Sequence, residues 1–212
     1  MKFCSLLSFC IITLCFLGSC AKDDDSWSDN YEMSFFDFET DSEGWTKYAV
    51  DDNGQSFIID NPLSGLKSDT TYRFIALYVR NNQRIKISSC AHAVSSLPVP
   101  LAEGDLLHTD PVRIQSIWRV RNYINATLSV PIKDKQHFVK FVEKQITTNN
   151  DGEKIVHIQL FHDSNNDVAG SHTTVYLSLP LRTYNNQLTQ GKDSIYFSIN
   201  TPEGNITYPY LF

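Results

Sequence analysis

The chain has 212 residues, with 18 Lys and Arg against 24 Asp and Glu and a formal net charge of -6. No basic patch stands out, and phosphate-backbone contacts need concentrated Lys and Arg, so nucleic acid is not an expected partner. The length suits one or two domains with cores of their own.

The N-terminus reads Met1-Lys2, an apolar run from Leu6 to Leu17, then Gly18-Ser19 before Cys20. A charged start, an apolar stretch of about 7–15 residues and small residues at a cut site mark an exported chain. The run is shorter than the roughly 20 apolar residues of a membrane span. Leu17-Gly18-Ser19-Cys20 resembles the lipobox of a bacterial lipoprotein, which is cut before the cysteine and acylated on its thiol. Each buried methylene contributes about 0.8 kcal/mol, and two or more chains anchor a protein stably. Residues 1–19 are therefore expected to be a signal peptide and Cys20 the lipidation site, with membrane association through the lipid anchor.

The acidic segment 20–30 comes next as a tether. Its Lys22, Asp23 and Asp24 resemble the lysine-plus-acidic export signal that sends lipoproteins of the Bacteroidota to the outer face of the outer membrane. Such composition also stays hydrated and makes a spacer. The expected address is the outer membrane, lipid-anchored and facing the cell exterior. Between Cys20 and Asp52 eleven acids stand against Lys22 and Lys47, whereas from Leu101 onward eleven acids face ten bases.

Cys4, Cys10 and Cys15 leave with the signal peptide, so Cys90 has no partner once Cys20 carries lipid. Export permits disulfides, but this chain is not built on them. Cys90 lies in an alternating apolar stretch and reads as buried and inert.

Helical periodicity is nearly absent and period-two alternation recurs. Ser34–Phe38, Trp45–Val50, Phe57–Ile59, Thr71–Arg80 and Arg84–Ala93 read as strands, with turns at Asp51-Asp52-Asn53-Gly54 and Asn81-Asn82. Five short strands across residues 31–97 suit a small OB-like barrel, closed or partly open. Residues 98–110 read as a linker, because Pro98 and Pro100 cannot donate ladder hydrogen bonds.

From residue 111 to 212 the alternation is cleaner. Val112, Ile114, Trp118 and Val120 are expected on one face, with Arg113, Gln115, Arg119 and Arg121 on the other. The pattern continues through Ile124–Val130, Val156–Leu160, Val175–Leu181, Ile195–Ile199 and Ile206–Phe212. One apolar face per strand is what an antiparallel two-sheet sandwich needs. In His137–Ile146, Phe138, Val142 and Ile146 would also align on a helix, but Asn150-Asp151-Gly152 turns the segment straight into the next strand, so it too reads as one. The fold class expected is all-β: a small OB-like barrel followed by an antiparallel β-sandwich.

Four passages carry a family resemblance: Asp110-Pro-Val-Arg-Ile-Gln-Ser-Ile-Trp118, Tyr123-Ile124-Asn125, His137, and Leu160-Phe-His-Asp-Ser-Asn-Asn-Asp167. Together with the lipobox and tether they resemble a NigD-like lipoprotein of the Bacteroidota. The resemblance implies an OB-type barrel followed by a β-sandwich. It carries no active-site residues.

Motifs for catalysis are absent: no Gly-x-Ser-x-Gly, His-Glu-x-x-His, Cys-x-x-Cys or glycine-rich phosphate loop occurs. The six histidines are scattered, and His157 and His162 fall on opposite faces of one strand. Asp163, Asn165 and Asp167 form the one constellation with cation-ligand spacing. Val168 and Thr174 stand where an EF-hand needs Gly and Glu, so the segment reads as a polar loop capping its own turn and no metal or cofactor is assigned. Tyr176 and Tyr196 on polar strand faces, with Trp27 and Trp45, are the aromatics that could stack on sugars. The expected role is a non-catalytic binding or interaction lipoprotein for a glycan or protein ligand. A carbohydrate-binding accessory of a glycan-uptake system and a periplasm-facing envelope or self-protection factor are the alternatives.

Overall fold

The computed structural model describes residues 27, 30–167 and 170–212. Cys20, Lys22, Asp23 and Asp24 lie outside them. The protein is all-β. Strands β1 (Glu32–Thr40), β2 (Thr46–Asp51), β3 (Ser56–Ile59), β4 (Thr71–Asn81) and β5 (Arg84–His92) form a closed barrel in the order β1-β2-β3-β5-β4. The β3–β5 contact is parallel and the others antiparallel. Alternation fills the interior: Phe36 and Phe38 from β1, Phe57 and Ile59 from β3, Phe74, Ala76 and Tyr78 from β4, and Ile85 and Ile87 from β5. Four phenylalanines in so small a barrel meet edge-to-face or tilted, as Phe36 does with Phe57 at 6.0 Å and Phe38 with Phe74 at 5.0 Å. Cys90 packs half-buried against this cluster, and burial pushes its thiol up, away from the reactive thiolate.

The sandwich has two sheets. One is β11-β8-β7, from β7 (Arg113–Val120), β8 (Tyr123–Ile132) and β11 (Ser171–Pro180). The other is β13-β12-β10-β9-β6, from β6 (Val99–Pro100), β9 (Phe138–Thr148), β10 (Lys154–Asp163), β12 (Ser194–Thr201) and β13 (Gly204–Leu211). Between them Ile124, Ala126, Leu128, Val156, Ile158, Leu177, Leu179 and Phe197 make one buried core. Each Val, Leu, Ile or Phe among them contributes roughly 1.5–3 kcal/mol of burial. Segment 138–148 is a strand, with Val139 and Phe141 turned to the core, while Phe138 and Ile146 are exposed.

The 98–110 segment is stitched into the sandwich. Val99-Pro100 adds a parallel edge to β9, a position where a missing N–H is tolerated. Just before it, Val94 bridges Leu177 of β11, and Thr109 later bridges His162 of β10.

One face assignment is overturned. In β7, Ile114 pairs with Leu128 and Ser116 with Thr127, so Gln115 is an extra residue in a β-bulge. The bulge reverses the facing of the later residues in the strand. Ile114 and Ile117 pack on the core, whereas Trp118 turns outward and is 37% exposed. Trp118 is not a core residue, and Arg119 lies on the Ile117 side of the strand.

Candidate functional site at the barrel–sandwich junction

The outer face of β11-β8-β7 is covered by the barrel, because the residues of β1 and β4 that point away from the barrel interior meet it. Arg73 of β4, 6% exposed, is the centre. Its Nε donates to Ser178 Oγ at 2.8 Å, its Nη1 to Asp37 Oδ1 at 3.4 Å, and its Nη2 to Asp52 Oδ1 and to Asn125 Oδ1, the latter at 3.4 Å. Asn125 Nδ2 donates to Asp52 Oδ2 at 2.7 Å and Ser178 Oγ donates to Asn125 Oδ1 at 2.6 Å. Tyr123 donates its hydroxyl to Asp37 at 3.0 Å, and its ring lies 3.8 Å beneath the guanidinium.

A buried guanidinium is tolerable only when its donors are met, and here two carboxylates, an amide and a hydroxyl meet them. Burial first, and Asp37 second, push the Tyr123 hydroxyl up to about 12, so it stays a proton donor. Ser178 gives its hydrogen to Asn125 and accepts from Arg73, with no imidazole among these partners. That arrangement holds a surface in place and activates no nucleophile.

The β2–β3 hairpin supplies Asp52 and needs Gly54. Its φ is +81°, and a Cβ there would lie 1.8 Å from Arg121 Nη1. Arg121 reaches across to donate to the Asn53 carbonyl at 2.8 Å.

Beside this network, sharing Asp52 with it, the two halves leave a cleft of about 360 Å³, lined by Met33, Phe35, Ile75, Trp118 and Val120 together with Asp51 and Asp52. Trp118 stands edge-on to Phe35 with centroids 5.8 Å apart. Met33 is 61% exposed beside it. A pocket of about 290 Å³ flanks the other side of the hairpin, between Asp37, Gly54 and Tyr123. A wider groove, about 620 Å³, runs between the sandwich edges β7 and β13, lined among others by Ile117, Glu203 and Ile206. It is an open seam between two strand edges and lacks a locked polar floor.

The residues singled out from sequence lie elsewhere. Tyr176 is taken up by the junction, its ring edge-on to Phe35 at 6.2 Å, and Tyr196 packs on His157 at 5.6 Å. Trp27 is half-buried and Trp45 exposed, and neither lines these cavities. Asp163 Oδ1 accepts the Asn165 N–H at 2.7 Å, closing an Asx turn in which Asn165 and Asn166 have φ of +54° and +51°. Asp167 turns inward, where the Lys133 N–H donates to it at 2.7 Å. The backbone N–H groups of Lys133 and Asp134 hold its carboxyl down to about 2. Among the described residues no three His, Cys, Asp or Glu side chains form a group that could hold a metal ion.

The junction is hidden in the sequence because its polar members look like ordinary solvent-facing positions. Two signals of it are present. Arg73 interrupts the apolar run Tyr72–Tyr78, and Ile114 and Ile117 are spaced by three, which breaks strict alternation.

The sequence profile of the NigD-like C-terminal beta sandwich domain matches residues 96–210. A NigD-like immunity protein from Bacteroides caccae superposes with a TM-score of 0.69 at 24% identity, over 88% of this chain and 99% of that one. A protein of unknown function from Bacteroides vulgatus gives 0.67 at 18% identity, over 86% and 91%. A protein from Bacteroides fragilis, provisionally named a lipoprotein, gives 0.58 at 13% identity, over 85% and 96%. No curated protein matches the chain. At these identities the solved structures share the fold, while the profile covers more than half of the chain, and the protein therefore belongs to the family of the NigD-like C-terminal β-sandwich.

Proposed function

We propose that this protein is a lipid-anchored, non-catalytic interaction protein of the outer membrane, displayed toward the cell exterior, that takes its ligand in the barrel–sandwich cleft. The observation that carries the reading is the exposed pair Trp118 and Met33 beside Phe35, whose ring the locked Arg73 guanidinium faces at 5.3 Å. Rigid aromatic anchors on a preorganised base are what recognition surfaces use. The lipobox at Cys20 and the acidic tether through Asp25 support the anchored address, as does the name of the Bacteroides fragilis neighbour.

The occupant is expected to be a glycan or a protein. Affinity electrophoresis of the mature protein and of Trp118→Ala through polysaccharide gels tests the glycan arm. Retardation of the parent that the variant loses supports a carbohydrate-binding accessory, and unaltered mobility across a broad panel removes it. Protease shaving of intact cells tests display. Loss of the sandwich before lysis supports the exterior, and protection until lysis overturns it. The immunity-protein name of the Bacteroides caccae neighbour favours a second reading, a self-protection factor facing the periplasm. That reading requires protection in the shaving experiment.

A further inference from the structure

At one end of the sandwich the β8–β9 and β10–β11 turns close over two buried imidazoles. His137 Nδ1 lies 2.9 Å from His162 Nε2. Beyond each ring sits a fixed acceptor: the Asp110 carbonyl, 2.9 Å from His162 Nδ1, and Asp167 Oδ2, 3.3 Å from His137 Nε2. The side chains of His137 and Asp167 are 5% and 2% exposed, and His162 is 2% exposed.

A carbonyl oxygen only accepts, so His162 Nδ1 carries a hydrogen. An ionised carboxylate only accepts, so His137 Nε2 carries one as well. Two neutral imidazoles hold two hydrogens, and both are now placed. The inner nitrogens would then face each other with two lone pairs in a site closed to water, an arrangement as costly as a buried unmet polar group. Protonating Asp167 instead is disfavoured, because backbone N–H groups hold its carboxyl down to about 2.

The geometry points to a one-proton binding site shared by His137 and His162, an N–H···N bridge with Asp167 as its counterion, that clasps segments 108–110, 133–137 and 163–167 together. The pair takes one proton and resists a second. Burial pushes His162 down, and the charge of His137 pushes it the same way, against the opposing pull of the Asp110 carbonyl and of the Asp110 and Asp163 carboxylates. The remaining charged neighbours are occupied. Asp110 Oδ2 accepts the Ser164 N–H at 2.8 Å and the Ser164 hydroxyl. Lys135 donates to the carbonyls of Asn165 and Asn166 at 2.9 and 3.0 Å. His108 stands 3.9 Å from Asp163, and Lys133 and Asp134 pair with each other at the exposed rim. Losing the shared proton leaves the inner nitrogens of the two rings with lone pairs facing each other at 2.9 Å. The clasp therefore loosens as pH rises past the pair's upper step, and again as pH falls far enough to force a second proton in. The two steps belong to the pair and not to either ring.

Long-range proton–nitrogen NMR of the mature chain with 15N-labelled histidine, followed across pH with and without chelator, tests this. The expected result is that His137 and His162 move together, with His162 Nδ1 and His137 Nε2 protonated on both sides of the shared step. Asp167→Asn removes the counterion and shifts that step by roughly one pH unit or more toward acid. Should that variant not fold, His137→Gln serves: His162 then loses the shared step and titrates alone. Independent titration of the two rings in the parent chain overturns the proposal. So does an unmoved His162 titration in His137→Gln, or lines that change when chelator is added, which would put a metal where the proton is assigned.

Discussion

The Arg73 guanidinium lies 3.8 Å over the Tyr123 ring, one residue from the barrel and the other from the sandwich. Both also contact Asp37. A flat cation stacked on an aromatic and chelated by carboxylates has few alternative positions. The barrel and the sandwich are thus joined by a polar lock, and the cleft beside it inherits that rigidity.

Removing the lock leaves two carboxylates, Asn125 and Ser178 without their common donor. Arg73→Ala is expected to cost about 3–5 kcal/mol in urea unfolding of the protein. The transition should also split, with one half unfolding ahead of the other. Arg73→Lys should not rescue it, since a single ammonium cannot reproduce the planar fork. A single unshifted transition in Arg73→Ala would remove the lock.

The bulge at Gln115 makes opposite demands of neighbours. Ile117→Ala empties part of the core and should cost roughly 2 kcal/mol or more, while Trp118→Ala should cost well under the roughly 3–5 kcal/mol typical of a buried aromatic. Reversed magnitudes in thermal or urea unfolding would restore Trp118 to the core.

Alkaline titration should find Tyr123 late. Its hydroxyl is pushed up to about 12, by burial first and Asp37 second, so folding favours the protonated form. For a raised group the stabilisation is complete below the unfolded value near 10 and is lost as pH climbs through about 12. Tyr184, whose hydroxyl donates to Glu143 Oε2 at 2.7 Å, is shifted in the same direction, again by burial first. Ultraviolet titration of the parent and of Tyr123→Phe measures this. The variant should lack one late-ionising tyrosine, and a tyrosine count unchanged in that late step would contradict the assignment.

Cys20→Ala is expected to release the protein from membranes or leave it unprocessed. Fractionation with detection of the sandwich checks this, and an unchanged membrane fraction would refute lipidation.

Strand positions such as Thr71, Arg84 and the Ile124–Val130 series were legible because period-two burial is a local property of the extended backbone. The barrel interior obeyed the same rule, since Phe36, Phe38, Phe57 and Phe74 recur at alternate positions. Where the rule fails, the cause is a single inserted residue: Gln115 displaces the pattern of β7 and sends Trp118 outward.

The candidate site was legible only in fragments. Asp37, Asp52, Arg73, Tyr123, Asn125 and Ser178 come from five strands or turns across both halves, and each looks like a solvent-facing polar position beside its neighbours in the chain. His137 and His162 are 25 residues apart, joined by the pairing of β9 with β10. By itself the sequence determined the all-β class, most of the alternating cores and the acidic composition of the segment after Cys20, because these rest on local periodicity and composition. Tertiary structure decided which polar faces are covered, where Trp118 points and which titratable groups meet. Those outcomes depend on sheet register and on the docking of the barrel against the sandwich, and neither leaves a periodic trace along the chain.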